Sequence, residues 1–493
     1  MLSNLALGLG NLVIPANFIW LLVGVFVGLA AGATPGISGT MTVAILIPIT
    51  YGMDSIPAFI LLTSVYAVAV YSGSITAVLF RTPGAPEAAA TVMDGYAMTK
   101  KGEPHRALGY AMFSSFLGGT IGAMVLLLVS PQLAKVALEF GSPEVFSLIA
   151  FTMVAVSSIN VKNQIKGLVA AFFGLLLATV GLDVITSVPR YTFGISVLQA
   201  GFDFIPVILG LFGVSEALRM IQGPTSVGRA VKKVRTVLPR IKEIKEMLPT
   251  YLRSIPIGIG IGALPGVGAT TASFVTYATA ARVSKEPEKF GTGIPEGICA
   301  PESANNAAAM GAMVPLLSLG IPGSATTAVM LGALTLHGLR AGPLLFTHFP
   351  EFAYTILVSA IVANILIIVV SPIFIRFFAR IFQIPTGIIG TGILMLSVVG
   401  SFAIRNNIVD IWIVLIFGLL GYVLEKHDFP MAPIVIGLVL GQLGEQELRR
   451  SLIISGGDPS IFFVGHPISL TFLAISVGIL LIPVFKKLKG KFR

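Results

Sequence analysis

The sequence predicts an all-α polytopic membrane protein of about 12 membrane segments, with two inverted-topology repeats that carry Pro-Gly broken helices or re-entrant hairpins. Three observations predict it. Of 493 residues, 55% are hydrophobic and only 11% charged, where an average soluble domain has about 25% charged residues. Mean hydropathy is +0.93. Uncharged stretches recur along the chain, and a Gly/Pro pattern from the first of them returns in the second half. So few charges cannot cover the surface of a soluble fold of this length. Disorder, coiled coil and disulfide scaffold are excluded by the same figures. The single cysteine, Cys299, can form neither an internal disulfide nor a metal cluster, so no metal and no cofactor are expected.

Net charge is +10, and its placement carries the topology. Ser226 to Arg253 holds eight Lys or Arg against Glu243 and Glu246 alone, and Lys486 to Arg493 holds five more basic residues. In a membrane chain such clusters mark cytoplasmic segments rather than nucleic-acid contacts. The middle loop and the C-terminus are therefore expected in the cytoplasm. The first 53 residues carry no Asp, Glu, Lys or Arg. Without a basic n-region, no cleaved signal peptide is expected, and the N-terminus is placed outside. The division is residues 1–225 as the first repeat, 226–253 as a basic cytoplasmic loop, and 254–493 as the second repeat plus C-terminal spans.

The segments follow in order. Crossing a bilayer takes ~20 apolar residues as a helix. Uncharged or nearly uncharged stretches are Phe18–Thr50, Ile56–Phe80, Leu108–Ala134, Gly167–Leu182, Phe204–Ser215 and Ser254–Ala281. Ser303–Leu339, Phe352–Ile375, Ile381–Ile404, Ile411–Leu424, Phe429–Gly444 and Ile461–Val484 complete the set. Some are too long for one span and others too short, which is the expectation for broken or re-entrant segments. Alternating strands of ~10 residues are missing, so a barrel is excluded.

The repeat is specific. Gly28-x-x-x-Gly32-Ala33-x-Pro35-Gly36-x-x-x-Thr40 returns as Gly258-x-x-x-Gly262-Ala263-x-Pro265-Gly266-x-x-x-Thr270, each position shifted by 230. A second pair follows: Arg81-Thr82-Pro83-Gly84 leads into Val92-Met93-Asp94-Gly95, and Gly320-Ile321-Pro322-Gly323 into Val329-Met330-Leu331-Gly332. The basic loop precedes one copy and the uncharged N-terminus the other. With the loop inside and the N-terminus outside, the copies enter from opposite faces, which is a transporter architecture.

Chemistry is expected at the breaks. Proline lacks the N–H that continues a helix, and glycine permits unusual backbone angles. Backbone groups freed inside a membrane cost several kcal/mol each unless satisfied. A half-helix starting there points N–H groups and its positive dipole end at the break, which suits a carboxylate, while carbonyls of the ending half suit a sodium ion. The substrate site is accordingly placed at Pro35, Gly36, Ser38, Gly39, Thr40, Pro265, Gly266, Thr270, Thr271, Asn306 and Ser324. The ion site is placed at Asn305, Asn306, Ser324 and Thr326, because amide and hydroxyl oxygens suit a hard cation. For any single Ser or Thr, plain helix–helix hydrogen bonding competes with this reading. Arg81, Glu87, Asp94 and Glu302 are the charged residues near the breaks. Arg81 suits a substrate carboxylate and Glu302 a coupling cation, unless they simply sit at the water interface.

No catalytic residue is expected. Gly36-Ile37-Ser38-Gly39 resembles the Gly-x-Ser-Gly of rhomboid intramembrane proteases, which need a histidine on another span. Of the five histidines only His337 lies in a long apolar stretch, and the repeat mate of Ser38 is Gly268. HExxH and the Walker GxxxxGK[ST] are both missing, so coupling falls to an ion gradient.

Longer runs carry a family resemblance. Thr34-Pro35-Gly36-Ile37-Ser38-Gly39, Tyr71-Ser72-Gly73-Ser74-Ile75-Thr76, and Thr82-Pro83-Gly84-Ala85-Pro86 with Asp94-Gly95-Tyr96 resemble the large membrane subunit (TctA-like permease) of tripartite tricarboxylate transporters. So do Ala300-Pro301-Glu302-Ser303-Ala304-Asn305-Asn306-Ala307-Ala308-Ala309 and Leu319-Gly320-Ile321-Pro322-Gly323-Ser324-Ala325-Thr326. The resemblance covers essentially the whole chain. It departs at Ser72, often Gly in the family, and at Arg81, where a neutral residue such as Asn is expected. The resemblance implies a bacterial inner-membrane system with a small membrane subunit and a periplasmic substrate-binding protein that delivers a carboxylate such as citrate. This chain would form the translocation path in the lipid bilayer, driven by a gradient of sodium or protons; the neutral oxygens at the breaks make sodium the expected ion. A passive anion channel, an intramembrane serine protease and a related tripartite permease for dicarboxylates are the alternatives.

Overall fold

The computed structural model describes residues 2–159, 164–183, 185–222, 236–378 and 385–491. The chain opens with α1 (Leu2–Leu12), α2 (Pro15–Gly32), α3 (Gly39–Thr50) and α4 (Ser55–Phe80). Then come α5 (Thr91–Lys100), α6 (Pro104–Ala137), α7 (Ser142–Ile159) and α8 (Gln164–Ala178). A small antiparallel hairpin, β1 (Gly181–Leu182) and β2 (Pro189–Arg190), pairs Gly181 with Arg190 and Leu182 with Pro189. α9 (Phe204–Ile208) continues through a π-helical stretch, Leu209–Val214, into α10 (Ser215–Gln222). The second half holds α11 (Ile241–Ala263), α12 (Gly268–Val283), α13 (Glu296–Leu319), α14 (Ala325–Leu336), the short α15 (Pro343–His348) and α16 (Pro350–Phe378). α17 (Thr386–Arg405), α18 (Ile408–Lys426), α19 (Met431–Ile454) and α20 (Pro467–Lys491) close the chain.

Both long uncharged stretches that carry the first repeat motif are broken where the sequence puts Pro-Gly. α2 stops at Gly32 and α3 starts at Gly39, with Gly36 at φ 90° between them. α11 stops at Ala263 and α12 starts at Gly268, with Gly266 at φ 74°. A side chain is strained at such angles, so glycine is the residue that allows the turn. The second pair of breaks matches as well. α4 ends on Arg81 at φ 62° and α13 on Gly320 at φ 73°, two left-handed caps at equivalent repeat positions. That geometry favours Gly or Asn, which gives a physical reason for a neutral residue where this chain has Arg81.

The breaks send the chain back on itself. A Cβ added at Gly28 would meet the Val65 carbonyl at 2.9 Å, and one added at Gly32 would run into that of Ala69. α2 therefore lies along α4 in the same direction, and α3 between them must run the opposite way. In the second half Gly258 sits against the Ala304 carbonyl (2.5 Å from an added Cβ) and Gly262 against that of Ala308, so α12 returns likewise. α3 has 12 residues, about 18 Å at 1.5 Å per residue, short of the ~30 Å hydrocarbon core. By length it cannot cross alone. After α4 the chain also doubles back: Gly84 N–H donates to the Gly73 carbonyl at 3.1 Å.

Seven helices are long and apolar enough to cross a bilayer among the described residues. They are Pro15–Gly32, Ser55–Phe80, Pro104–Ala137, Phe204–Gln222, Pro350–Arg376, Thr386–Arg405 and Ile408–Lys426. An all-α membrane protein is thus the architecture. The expected dozen includes the halves of broken segments and shorter apolar helices such as Gln164–Ala178 and Ala325–Leu336. α4 is buried on every side, as an all-round apolar helix must be at the centre of a bundle.

Three expectations change. The stretch Gly167–Leu182 does not run through as a span: α8 ends at Ala178, and Gly181, at φ 119°, opens the β-hairpin. The basic loop is helical from Ile241, where the Glu243 carboxylate caps the Arg240 N–H at 2.7 Å. Its residues 226–235 lie outside the described residues, as do Phe492 and Arg493. α7 lies on the uncharged run 145–161, which the expected segments leave out although it is longer than Gly167–Leu182.

Candidate functional site

The four breaks come together where the halves meet. Thr40, in the first turn of α3, and Thr326, in the first turn of α14, share a 2.7 Å hydrogen bond in which either hydroxyl donates. α14 packs on α3, and α12 packs on the turn Pro86–Ala88 that follows Pro83-Gly84. Each half's first break thus faces the other half's second break. Two of the helix starts have side-chain caps: Ser38 Oγ accepts from Met41 N–H at 3.2 Å, and Ser324 Oγ from Thr327 N–H at 3.2 Å. Their remaining first-turn N–H groups and positive dipole ends point toward the junction.

Two adjoining cavities occupy it. The larger, about 510 Å³, is lined by Gly36, Ser38, Thr40, Glu87 and Thr270, with Glu216, Arg219 and Glu425 toward one side. The smaller, about 270 Å³, is lined by Tyr66, Gly266, Thr270, Ser324 and Thr326. Thr40, Glu87, Thr270, Ala325, Pro430 and Ala432 line both. Tyr66 and Ser324 hydroxyls lie 3.2 Å apart. The walls therefore combine hydroxyls and first-turn backbone, which can hold a polar anion or supply oxygen ligands to a cation, with the charged Glu87, Glu216, Arg219 and Glu425.

Of the expected site residues, Gly36, Ser38, Thr40, Gly266, Thr270, Ser324 and Thr326 line one cavity or both. Pro35, Gly39, Pro265 and Thr271 line neither. Asn305 and Asn306 stand behind the walls. Asn305 Nδ2 donates to the Glu87 carbonyl at 3.1 Å, and its Oδ1 accepts from Asn306 N–H at 2.6 Å. Asn306 Nδ2 donates to the Ala67 carbonyl at 3.0 Å. Ala67 and Asn306 are equivalent in the alignment that matches Arg81 with Gly320, so α4 and α13 touch at matching points.

The charged residues near the breaks separate by role. Arg81 is exposed and lines neither cavity. Glu302 is not at a water interface: it is fully buried, accepting from Thr91 Oγ1 at 2.5 Å and Ser115 Oγ at 2.9 Å. Asp94 is equally buried and accepts from Tyr277 Oη (2.8 Å) and from the N–H groups of Gly291, Gly293 and Ile294 at 3.0, 2.7 and 3.0 Å. It pins the loop before α13 onto the first half. Glu87 alone of the four faces the cavities.

Sequence reasoning missed the third wall. Arg219 pairs with Glu216 at 3.2 Å and Glu425 at 2.5 Å, and the Glu216 carboxylate lies beside Gly36. Met431 lines the larger cavity and Pro433 the smaller, with Pro430 and Ala432 on both. These residues fall outside the repeat motif, and no spacing connects them to it. Histidine lines neither cavity, and Ser38 serves as a helix cap.

The family model for the tripartite tricarboxylate transporter TctA family matches residues 18–436. The chain belongs to that family. It is a transporter family, part of a tripartite system with partner subunits, and membership agrees with a multi-pass membrane chain. An uncharacterized 52.8 kDa protein in the TAR-I ttuC' 3' region of Agrobacterium vitis is 36% identical over 491 residues, covering 100% of this chain and 98% of that protein. An uncharacterized protein in the TAR-II ttuC' 3' region of the same organism is 36% identical over 231 residues, 47% of this chain and 95% of that protein. No solved structure matches.

Proposed function

We propose that this TctA-family chain is the translocation subunit of a secondary active transporter. It carries a tricarboxylate or related carboxylate across a bacterial inner membrane, driven by an ion gradient, with sodium as the coupling ion. A periplasmic binding protein delivers the substrate and a small membrane subunit completes the complex. The N-terminus faces the periplasm and the C-terminus the cytoplasm, with the two repeats inserted in opposite senses. One observation carries the reading: four repeat-related Pro-Gly breaks meet around adjoining cavities of about 510 and 270 Å³. Half-helix starts aimed at a cavity between repeats suit anionic substrate groups, and neutral oxygens beside them suit sodium. Thr40, Thr270, Ser38 and the backbone at Gly36 and Gly266 hold the carboxylate in this reading. Ser324 and Thr326 serve the cation, and Asn305 and Asn306 position the walls from behind.

The test is uptake by the complete complex in proteoliposomes, with its binding protein supplied outside and radiolabelled citrate as first substrate, followed by dicarboxylates and aromatic acids. An inward sodium gradient is expected to drive accumulation above the outside concentration. A passive anion channel would only equilibrate the substrate. Full accumulation under a proton gradient without sodium would overturn sodium coupling.

A further inference from the structure

The charge inside the cavities opposes an anionic substrate. Three carboxylates line them, Glu87, Glu216 and Glu425, against one guanidinium, Arg219. Glu216 and Glu425 are both within ion-pair distance of Arg219. Glu87 has no such partner, and its Oε2 is buried without a hydrogen bond. The residue as a whole is half-buried, but a carboxylate oxygen held out of water without a partner is costly. Glu87 is also the only acid lining both cavities. Tyr66, Thr40, Thr270, Ser324 and Thr326 line the same smaller cavity and offer hydroxyl oxygens. Its own backbone is held by Asn305 Nδ2 on its carbonyl, so the side chain is presented by a fixed support. Asp94 and Glu302, by contrast, have their oxygens occupied by hydrogen bonds from the protein.

We propose that Glu87 is the cation-binding carboxylate of this protein, holding a sodium ion with the surrounding hydroxyl oxygens where the two cavities meet. This deepens the transport reading and rests on it for its consequence. A carboxylate substrate meets a lining with two negative charges in excess until a cation arrives. Bound sodium halves that excess and weakens the repulsion, so sodium and substrate each raise the other's affinity, as linkage requires. The small monovalent ion and hard oxygen set exclude thiolate- or imidazole-preferring metals.

The experiment uses the purified full-length chain and radioactive sodium, with no transport step. Wild type is expected to bind sodium saturably, with no competition from choline. Glu87→Gln keeps the side-chain volume and the Asn305 contact, and is expected to raise the half-saturating sodium concentration at least tenfold. Glu302→Gln is expected to leave it within threefold. Carbodiimide labelling of Glu87 in the wild-type chain, read by mass spectrometry, supplies a measurement that needs no variant: sodium is expected to slow it, choline to leave it unchanged. Unchanged sodium affinity in Glu87→Gln, or labelling indifferent to sodium, overturns the assignment. Labelling that responds only to pH overturns sodium in favour of a proton. Sodium binding lost in Glu87→Gln, together with uptake of no carboxylate by the complex, would leave the site standing while the transport reading fails.

Discussion

At the residue scale, the two break glycines differ in what constrains them. Gly36 sits at φ 90° with room for a methyl group in ordinary contact, the nearest atom to an added Cβ being Met220 Cγ at 3.6 Å. Gly266 sits at φ 74° against Val156, whose Cα would be 2.6 Å from an added Cβ. Gly36→Ala therefore pays only the left-handed penalty of about 1–2 kcal/mol. It is expected to insert and accumulate normally but to slow citrate uptake about tenfold, because the turn relaxes away from its cavity geometry. Gly266→Ala also collides with backbone, and is expected to lower the amount of folded protein recovered in detergent, read by size-exclusion chromatography. Normal uptake in Gly36→Ala would mean the first break is only a bend. The Thr40–Thr326 bond joins one half's arm to the other's. Thr40→Val and Thr326→Val are expected to be non-additive in thermal stability, with a coupling of about 0.5–1.5 kcal/mol, the range for such bonds in membranes. Additive losses would show that the bond does not hold the arms together.

At the scale of elements, buried polar groups act as fasteners between halves. Asp94 on α5 accepts three backbone N–H groups from the loop 291–294. Asp94→Ala leaves those donors without their partner and is expected to cost about 1–3 kcal/mol, seen as a lower melting temperature with unchanged sodium affinity. Altered sodium affinity would place Asp94 in the ion site instead. The β-hairpin is fastened by Asp183, which accepts N–H from Thr186 at 2.8 Å and Ile185 at 3.0 Å and pairs with Arg449 at 2.9 Å. The Thr186 N–H above all, then that of Ile185, with Arg449 beside them, holds this carboxyl well below the usual carboxylate range. A depressed carboxylate contributes its stability above its unfolded pKa and loses it as pH falls through the folded one. Hydrogen-exchange protection of the hairpin is therefore expected to persist at about pH 5, weaken from about pH 4 downward, and fall at neutral pH in Asp183→Ala.

At the scale of the whole molecule, sidedness is the decisive measurement. Reporter fusions after Arg240 are expected to read cytoplasmic, and fusions before Phe18 external, from the eight basic residues of Ser226–Arg253 set against the uncharged start. Equal sidedness for the segments entering at Gly28 and Gly258 would remove the inverted arrangement while leaving the matching contacts of the two halves intact.

What could be read from residues alone was local or periodic. Low charge and long apolar stretches determined an all-α membrane fold, since a bilayer admits little else. Pro35-Gly36 and Pro265-Gly266 located their breaks, because a missing N–H and a missing Cβ act on the backbone wherever the chain goes. The long motifs at 34–39, 82–86 and 300–309 determined the family. Tertiary structure alone decided which breaks face each other, that the chain doubles back at α3 and α12, and that Asn305 and Asn306 stand behind the walls. It also decided how the acids are partnered. Asp94, Glu302 and Glu87 look alike in sequence, each a carboxyl beside a break. Only packing distributes partners among them, supplying backbone N–H groups to Asp94 and hydroxyls to Glu302, and leaving a buried oxygen of Glu87 without a partner beside the cavities.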